Sequence, residues 1–93
     1  MREKTLEQKF RAAVKAAGGV AVKFTSPGFD GVPDRLALLP DGKMAFVEVK
    51  AKGKKPRPLQ LSRHRLLRRL GFKVYVLDDE SQIGGIIDEI RAT

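Results

Sequence analysis

Apolar residues recur along this chain with two periods, and the changes from one to the other divide it into elements. Leu6, Phe10, Ala13, Val14 and Ala17 fall at helical spacing, which gives a first helix an apolar face. Thr5 and Gln8 form a capping-box pattern near its start, and Gly18-Gly19 stops it. Val20, Val22 and Phe24 then alternate with Ala21 and Lys23, which is the period of a strand. Beyond a loop over 25–32, two further apolar runs, Leu36 to Leu39 and Ala45 to Val49, read as central strands covered on both faces. A second helix is expected from Pro58 to about Leu70, ending at Gly71, with Leu59, Leu66, Leu67 and Leu70 on its buried side. Lys73 to Leu77 reads as a last strand. Ile83, Ile86, Ile87 and Ile90 line a closing helix that starts among the acids Asp78, Asp79 and Glu80.

The turn between the two central strands sets their register. In Leu39-Pro40-Asp41-Gly42-Lys43, proline pre-sets the first turn residue, Asp suits the second, and glycine takes the left-handed conformation. With Leu39 opposite Lys43, counting back pairs Leu38 with Met44, Leu36 with Phe46 and Asp34 with Glu48. Two carboxylates then oppose each other with Cβ atoms about 5 Å apart. Glu48 and Lys50 share one strand face about 7 Å apart, while Val47 and Val49 point the other way. Opposed like charges destabilise a sheet, so the pair needs a cation, either Lys50 or a metal ion. Mg²⁺ suits a few carboxylate oxygens completed by water and substrate phosphate.

Composition narrows the partners. Ninety-three residues make one domain, 1–93, with one modest core. A net charge of +8 points to a polyanion, with nucleic acid as the first candidate. There is no cysteine and one histidine, so a thiolate or histidine-cluster metal site is excluded and any metal is held by oxygen. Neither a signal peptide nor a membrane span is evident, and a cytoplasmic, intracellular location is expected. Between Glu48 and Asp78 there are ten basic residues and no acid. Lys52, Lys54, Lys55 and Arg57 form a basic loop leaving the Glu48 strand, and Arg65, Arg68 and Arg69 form the outer face of the second helix, both suited to phosphate contact. Arg63 lies near the buried stripe of that helix, and His64 reads as a surface or phosphate-contacting residue. Asp30 reads as a turn residue, with an extra metal ligand as the alternative.

Gly31-Val32-Pro33-Asp34, then Glu48-Val49-Lys50, then Gln60 resembles the PD-(D/E)XK nucleases, and specifically their VRR-NUC (virus-type replication-repair nuclease) branch. The resemblance covers nearly the whole chain. It implies an α/β, restriction-endonuclease-like fold, a mixed central sheet flanked by helices in the order α-β-β-β-α-β-α. It also implies that a glutamate on the first helix helps hold the metal, often through water. Glu7 is the matching position, and Glu3, which precedes the Thr5 cap, is its rival. A glutamine at the position of Gln60 points into the active site in this family. The match is looser just before it, because Lys55-Pro56-Arg57-Pro58 lacks the small polar cap expected there.

These readings lead to a Mg²⁺- or Mn²⁺-dependent endonuclease acting on DNA. Asp34, Glu48 and the Val49 carbonyl would hold the metal, Glu7 would complete the site through water, and Lys50 would position or activate the attacking water. Stand-alone, phage-type members of the resembled family imply a homodimer resolving four-way (Holliday) junctions. One alternative is a broader nuclease of flaps or single strands working with a partner protein. The other is a basic DNA-binding module that has kept the fold without the chemistry.

Overall fold

The computed structural model describes residues 1–93. Leu6, Phe10 and Val14, one per helical turn, are fully buried on one side of α1 (Glu3–Ala16). The helix begins two residues before the expected Thr5 cap. Arg2 is the N-cap, its carbonyl accepting the Leu6 N–H at 3.0 Å, and no side chain caps the end. An exposed first turn can leave its remaining N–H groups to water, and Glu3 there complements the helix dipole. At the other end Gly18 takes a φ of 91°, and Gly19 N–H returns to the Val14 carbonyl at 3.0 Å.

Gly19 then lets the chain pass against its own sheet. A Cβ built there would lie 2.0 Å from the Leu38 carbonyl oxygen and 2.9 Å from the Leu39 side chain. Gly19→Ala is therefore expected to lower stability by about 1–3 kcal/mol in urea unfolding, since backbone must move to admit the methyl. An unchanged midpoint would show that α1 and β2 do not approach this closely.

β1 (Val20–Lys23), β2 (Arg35–Leu39), β3 (Lys43–Val49) and β4 (Val74–Leu77) form one sheet in that order. The first three are antiparallel and β4 is parallel to β3. The parallel pair needs a crossover, which α2 (Pro58–Arg69) supplies. A short 3-10 turn at Glu80–Gln82 leads into α3 (Ile83–Arg91). The acids before it cap it as expected: Gln82 Oε1 accepts the Asp78 N–H at 2.9 Å, and Ser81 donates to Asp79 at 2.7 Å. That last bond holds the Asp79 carboxyl below its ordinary range. The mixed sheet and the α-β-β-β-α-β-α order are those that the sequence implies.

The β2–β3 register is also the expected one: Leu39 pairs with Lys43, Leu38 with Met44 and Leu36 with Phe46. Its turn has the expected three residues but differs in conformation, with Asp41 left-handed (φ 66°) as well as Gly42 (φ 72°). Aspartate tolerates that region better than most side chains. Helices α1 and α3 cover one sheet face, where Ala37, Ala45, Val47, Val49, Leu77 and the four isoleucines of α3 join Leu6, Phe10 and Val14.

The opposite face carries only α2. Phe46 is sealed there by edge-to-face contacts with Phe24 and Phe72, ring centres 5.7 Å apart in each case. Val20 and Leu38 remain exposed, so β2 is not covered on both faces as expected. A single helix, about 10 Å across, leaves part of a four-stranded face uncovered. Helix α2 is also turned differently from expectation. Gln60 and His64 are its buried residues, whereas Leu59 and Leu70 are exposed and Leu66 and Leu67 only half-buried.

Candidate active site

The face of β3 under α2 carries Glu48, and continuing the observed β2–β3 register one step places Asp34 opposite it. Asp34 stands just before β2, its carbonyl accepting the Phe24 N–H of the neighbouring strand at 2.8 Å. Its side-chain Oδ1 accepts the Val49 N–H at 3.1 Å. The residue before it explains that bond. Pro33 falls opposite Val49 in the same register and has no N–H, so the ladder cannot continue. Backbone groups of one strand residue point the same way, so the Val49 carbonyl faces this break, and Pro33 has no donor to offer it.

Burial pushes the Asp34 carboxyl up from 3.8 to about 6, and the charge of Glu48 adds to it. The Val49 N–H pulls the other way without cancelling the rise. Glu48 itself is only 3% exposed. Lys50 Nζ lies 3.9 Å from its Oε2 and Gln60 Nε2 donates to that same oxygen at 3.4 Å. His64 Nε2 stands 3.5 Å from the other oxygen, Oε1, which has no hydrogen-bond partner.

Gln60 is aimed by the helix it belongs to. Its Oε1 accepts the Arg57 N–H at 2.8 Å, closing the N-terminus of α2, and this leaves Nε2 directed at Glu48. The missing small polar cap is thus replaced from inside the helix. Gly31 lets α2 sit this close: its φ is 86°, and a Cβ would lie 2.8 Å from the Leu59 side chain. Between the Asp30-Gly31 turn and the first turn of α2 a cleft of about 460 Å³ opens toward Gln60.

The remaining sequence candidates scatter. Glu7 is bound to Arg35, whose strand partner Val47 lies in the core beneath α1, so this glutamate is directed to the other sheet face. Glu3, the rival expected to precede the cap, lies inside the helix: α1 starts at Glu3, and its charge contributes to the rise at Asp34. No three Asp, Glu or His side chains converge as a metal-binding group. Asp30 is exposed in its turn, and its carbonyl, not its carboxylate, accepts from Arg63 Nε at 2.7 Å.

Lys52, Lys54, Lys55, Arg57, Arg65 and Arg69 are exposed and form a basic rim. Arg63 instead stacks on the exposed Phe29 ring, 4.0 Å from its centre, and Arg68 donates to the Val74 carbonyl at 2.8 Å, tying α2 to β4. His64 is not a surface residue. It is fully buried one helical turn beyond Gln60, and only that i, i+4 spacing could have signalled it. No helix is long and apolar enough to cross a membrane.

A divalent cation fits this chemistry. Two opposed carboxylates, one with a raised pKa and one with an orphaned buried oxygen, form a site short of positive charge, and the Val49 carbonyl adds a neutral oxygen. No family model matches the sequence. The provisionally named nuclease p44 of Acyrthosiphon pisum secondary endosymbiont phage 1 is 51% identical over 80 residues, 86% of each chain. A solved VRR-NUC domain superposes with a TM-score of 0.87 at 34% identity, over 95% of this chain and 96% of that one. Two relatives matched at these identities over most of their lengths make this chain a nuclease of the VRR-NUC family.

Proposed function

We propose that this nuclease is a Mg²⁺- or Mn²⁺-dependent endonuclease of branched DNA, acting as a homodimer on four-way junctions. The observation that carries the metal dependence is the buried, unpartnered Glu48 oxygen beside a carboxyl driven up to about 6. Asp34, Glu48 and the Val49 carbonyl would hold the ion, while Glu7, paired with Arg35 on the other sheet face, takes no part in this arrangement. When bound, the ion supplies charge stabilisation at the phosphoryl oxygens and a more acidic water. Lys50 holds a water or phosphate oxygen beside Glu48, Gln60 keeps the Glu48 carboxylate turned inward, and no covalent intermediate is required.

The basic rim positions the backbone on either side of the cut. Removing Lys54 and Lys55 together is expected to weaken binding across all sequences and to reduce the slope of log affinity against log salt by about 2. An unchanged slope would place the DNA elsewhere. The open sheet face supports a dimer: Val20, Leu38, Leu70 and Phe72 are exposed apolar residues that a second copy would cover.

A second reading has its own support. Phe29, 39% exposed beneath the Arg63 guanidinium, offers a stacking surface for an unpaired base beside the cleft, as a flap or single-strand nuclease would use. A panel of four-way junction, flap, single strand and linear duplex with Mg²⁺, Mn²⁺ or EDTA separates the two. Junctions cut in paired strands by a dimer support resolution. Flap or single-strand cutting by a monomer supports the second reading. DNA binding without cleavage of any substrate would leave a binding module.

A further inference from the structure

We propose that His64 is a positioning residue for Glu48, fixing the carboxylate that the metal-dependent reading above places at the ion. The sequence pattern reads this histidine as a surface or phosphate-contacting residue, and none of the steps above uses it. Yet it occupies one of the least accessible positions in the molecule, at 0% exposure, on the one helix that covers the Glu48 face. An imidazole so enclosed should have hydrogen-bond partners, because polar groups removed from water without them are costly. Neither His64 nitrogen has one.

The nearest acceptor is in the same condition. Glu48 Oε1 is buried and unpartnered, 3.5 Å from His64 Nε2. Two orphaned groups therefore face each other across a few tenths of an ångström more than a hydrogen bond needs. With its proton on Nε2, as in one neutral tautomer and in the cation, the ring has an N–H to donate to Oε1. Packing of a mere filler does not explain the choice, since a leucine would fill the place without orphaning a nitrogen.

The consequence is geometrical. Gln60 approaches Oε2 from one turn earlier on α2, and His64 approaches Oε1. Held at both oxygens from one helix, the carboxylate cannot rotate about its last bond. The helix is itself locked by the Gln60 bond to Arg57 N–H, so the aim of Glu48 is set by α2 and not by its own strand. Partners of this kind behind a ligating carboxylate are commonly worth 10–100-fold in metal affinity.

The test compares wild type, His64→Leu and His64→Gln. Glutamine places an amide N–H near the position of Nε2, whereas leucine fills the space and donates nothing. Mn²⁺ binding to metal-free protein is measured by calorimetry, junction cleavage as kcat and KM, and folding by thermal unfolding in EDTA. His64→Leu is expected to bind Mn²⁺ about 10–100-fold more weakly. Its kcat falls, while KM for DNA and the EDTA melting temperature stay near wild type. His64→Gln recovers most of the Mn²⁺ affinity. His64→Met makes the same comparison with a more pliant apolar side chain should the leucine variant not fold. Wild-type Mn²⁺ affinity in an apolar variant overturns the role of His64 and leaves the metal site standing, as does equal impairment of the apolar and glutamine variants. A wild-type protein that binds no Mn²⁺ overturns the metal reading and this role with it.

Discussion

Glu48→Gln is expected to reduce DNA cleavage by about a thousandfold or more, because a charge-stabilising metal site contributes several kcal/mol and each 1.4 kcal/mol is a factor of ten. The substitution keeps the length and the buried position of the side chain, which is only 3% exposed, and removes its charge. DNA binding in EDTA should survive, since Lys54, Lys55 and Arg57 are exposed on the rim and make no contact with Glu48. Folding should survive as well: a neutral amide at this depth is easier to bury than a carboxylate whose Oε1 lacks a partner. Single-turnover cleavage, filter binding and thermal unfolding on the same preparation check the three parts. Normal cleavage by this variant would remove the opposed carboxylates from the mechanism.

Asp34→Asn is expected to lose activity to a similar extent and to gain stability, with a pH dependence that identifies the cause. In the unfolded chain the carboxyl titrates at its ordinary 3.8, and in the folded protein at about 6. Between those values the folded state holds a proton that the unfolded chain has released, so folding weakens as pH rises through the window. The penalty is complete above about 6 and absent below the unfolded value. Two pKa units would correspond to nearly 3 kcal/mol for a group wholly removed from water, but Asp34 is half-buried and solvent screening brings the effect to about 1 kcal/mol.

Asparagine can still accept the Val49 N–H and carries no charge to desolvate. In EDTA at pH 8 its melting temperature should therefore exceed that of wild type by about 4–8 °C, the shift that 1 kcal/mol produces in a domain of this size. The advantage should vanish near pH 4. Mn²⁺ should raise the wild-type midpoint and leave that of the variant unchanged. A variant less stable than wild type at pH 8 would mean that Asp34 holds the hairpin together more than it strains it.

How much of this could be read beforehand differs from element to element. The opposition of Asp34 and Glu48 follows from a turn of three residues, Pro40-Asp41-Gly42, because local chemistry fixes register and register fixes faces. Leu6, Phe10 and Val14 were legible for a similar reason: an apolar stripe has one place to go. Helix α2 broke that rule. Counting leucines turned Leu59 and Leu70 inward, but the sheet beneath holds a carboxylate, and Gln60 and His64 face it. A hydrophobic stripe predicts orientation only where the surface it meets is hydrophobic.

Two other misses are long-range. Glu7 sits at the edge of the α1 stripe, as its spacing suggests, but its ion pair joins residues twenty-eight positions apart in the sequence. Arg68 looked like part of a solvated basic face and instead bonds a strand carbonyl, a partner that no charge pattern reveals.

The proline opposite Val49 also bears on how the hairpin finds its alignment. A slip of one residue between β2 and β3 would expose the core and correct itself. A slip of two preserves which side chains face inward, so burial alone cannot reject it. In one direction that slip would set Pro33 against Val47, in the strand interior, and leave the buried Val47 carbonyl without a backbone donor. The imino acid thus discriminates against that slip, while in the observed alignment it stands opposite Val49, the last residue of β3, where the two acids meet.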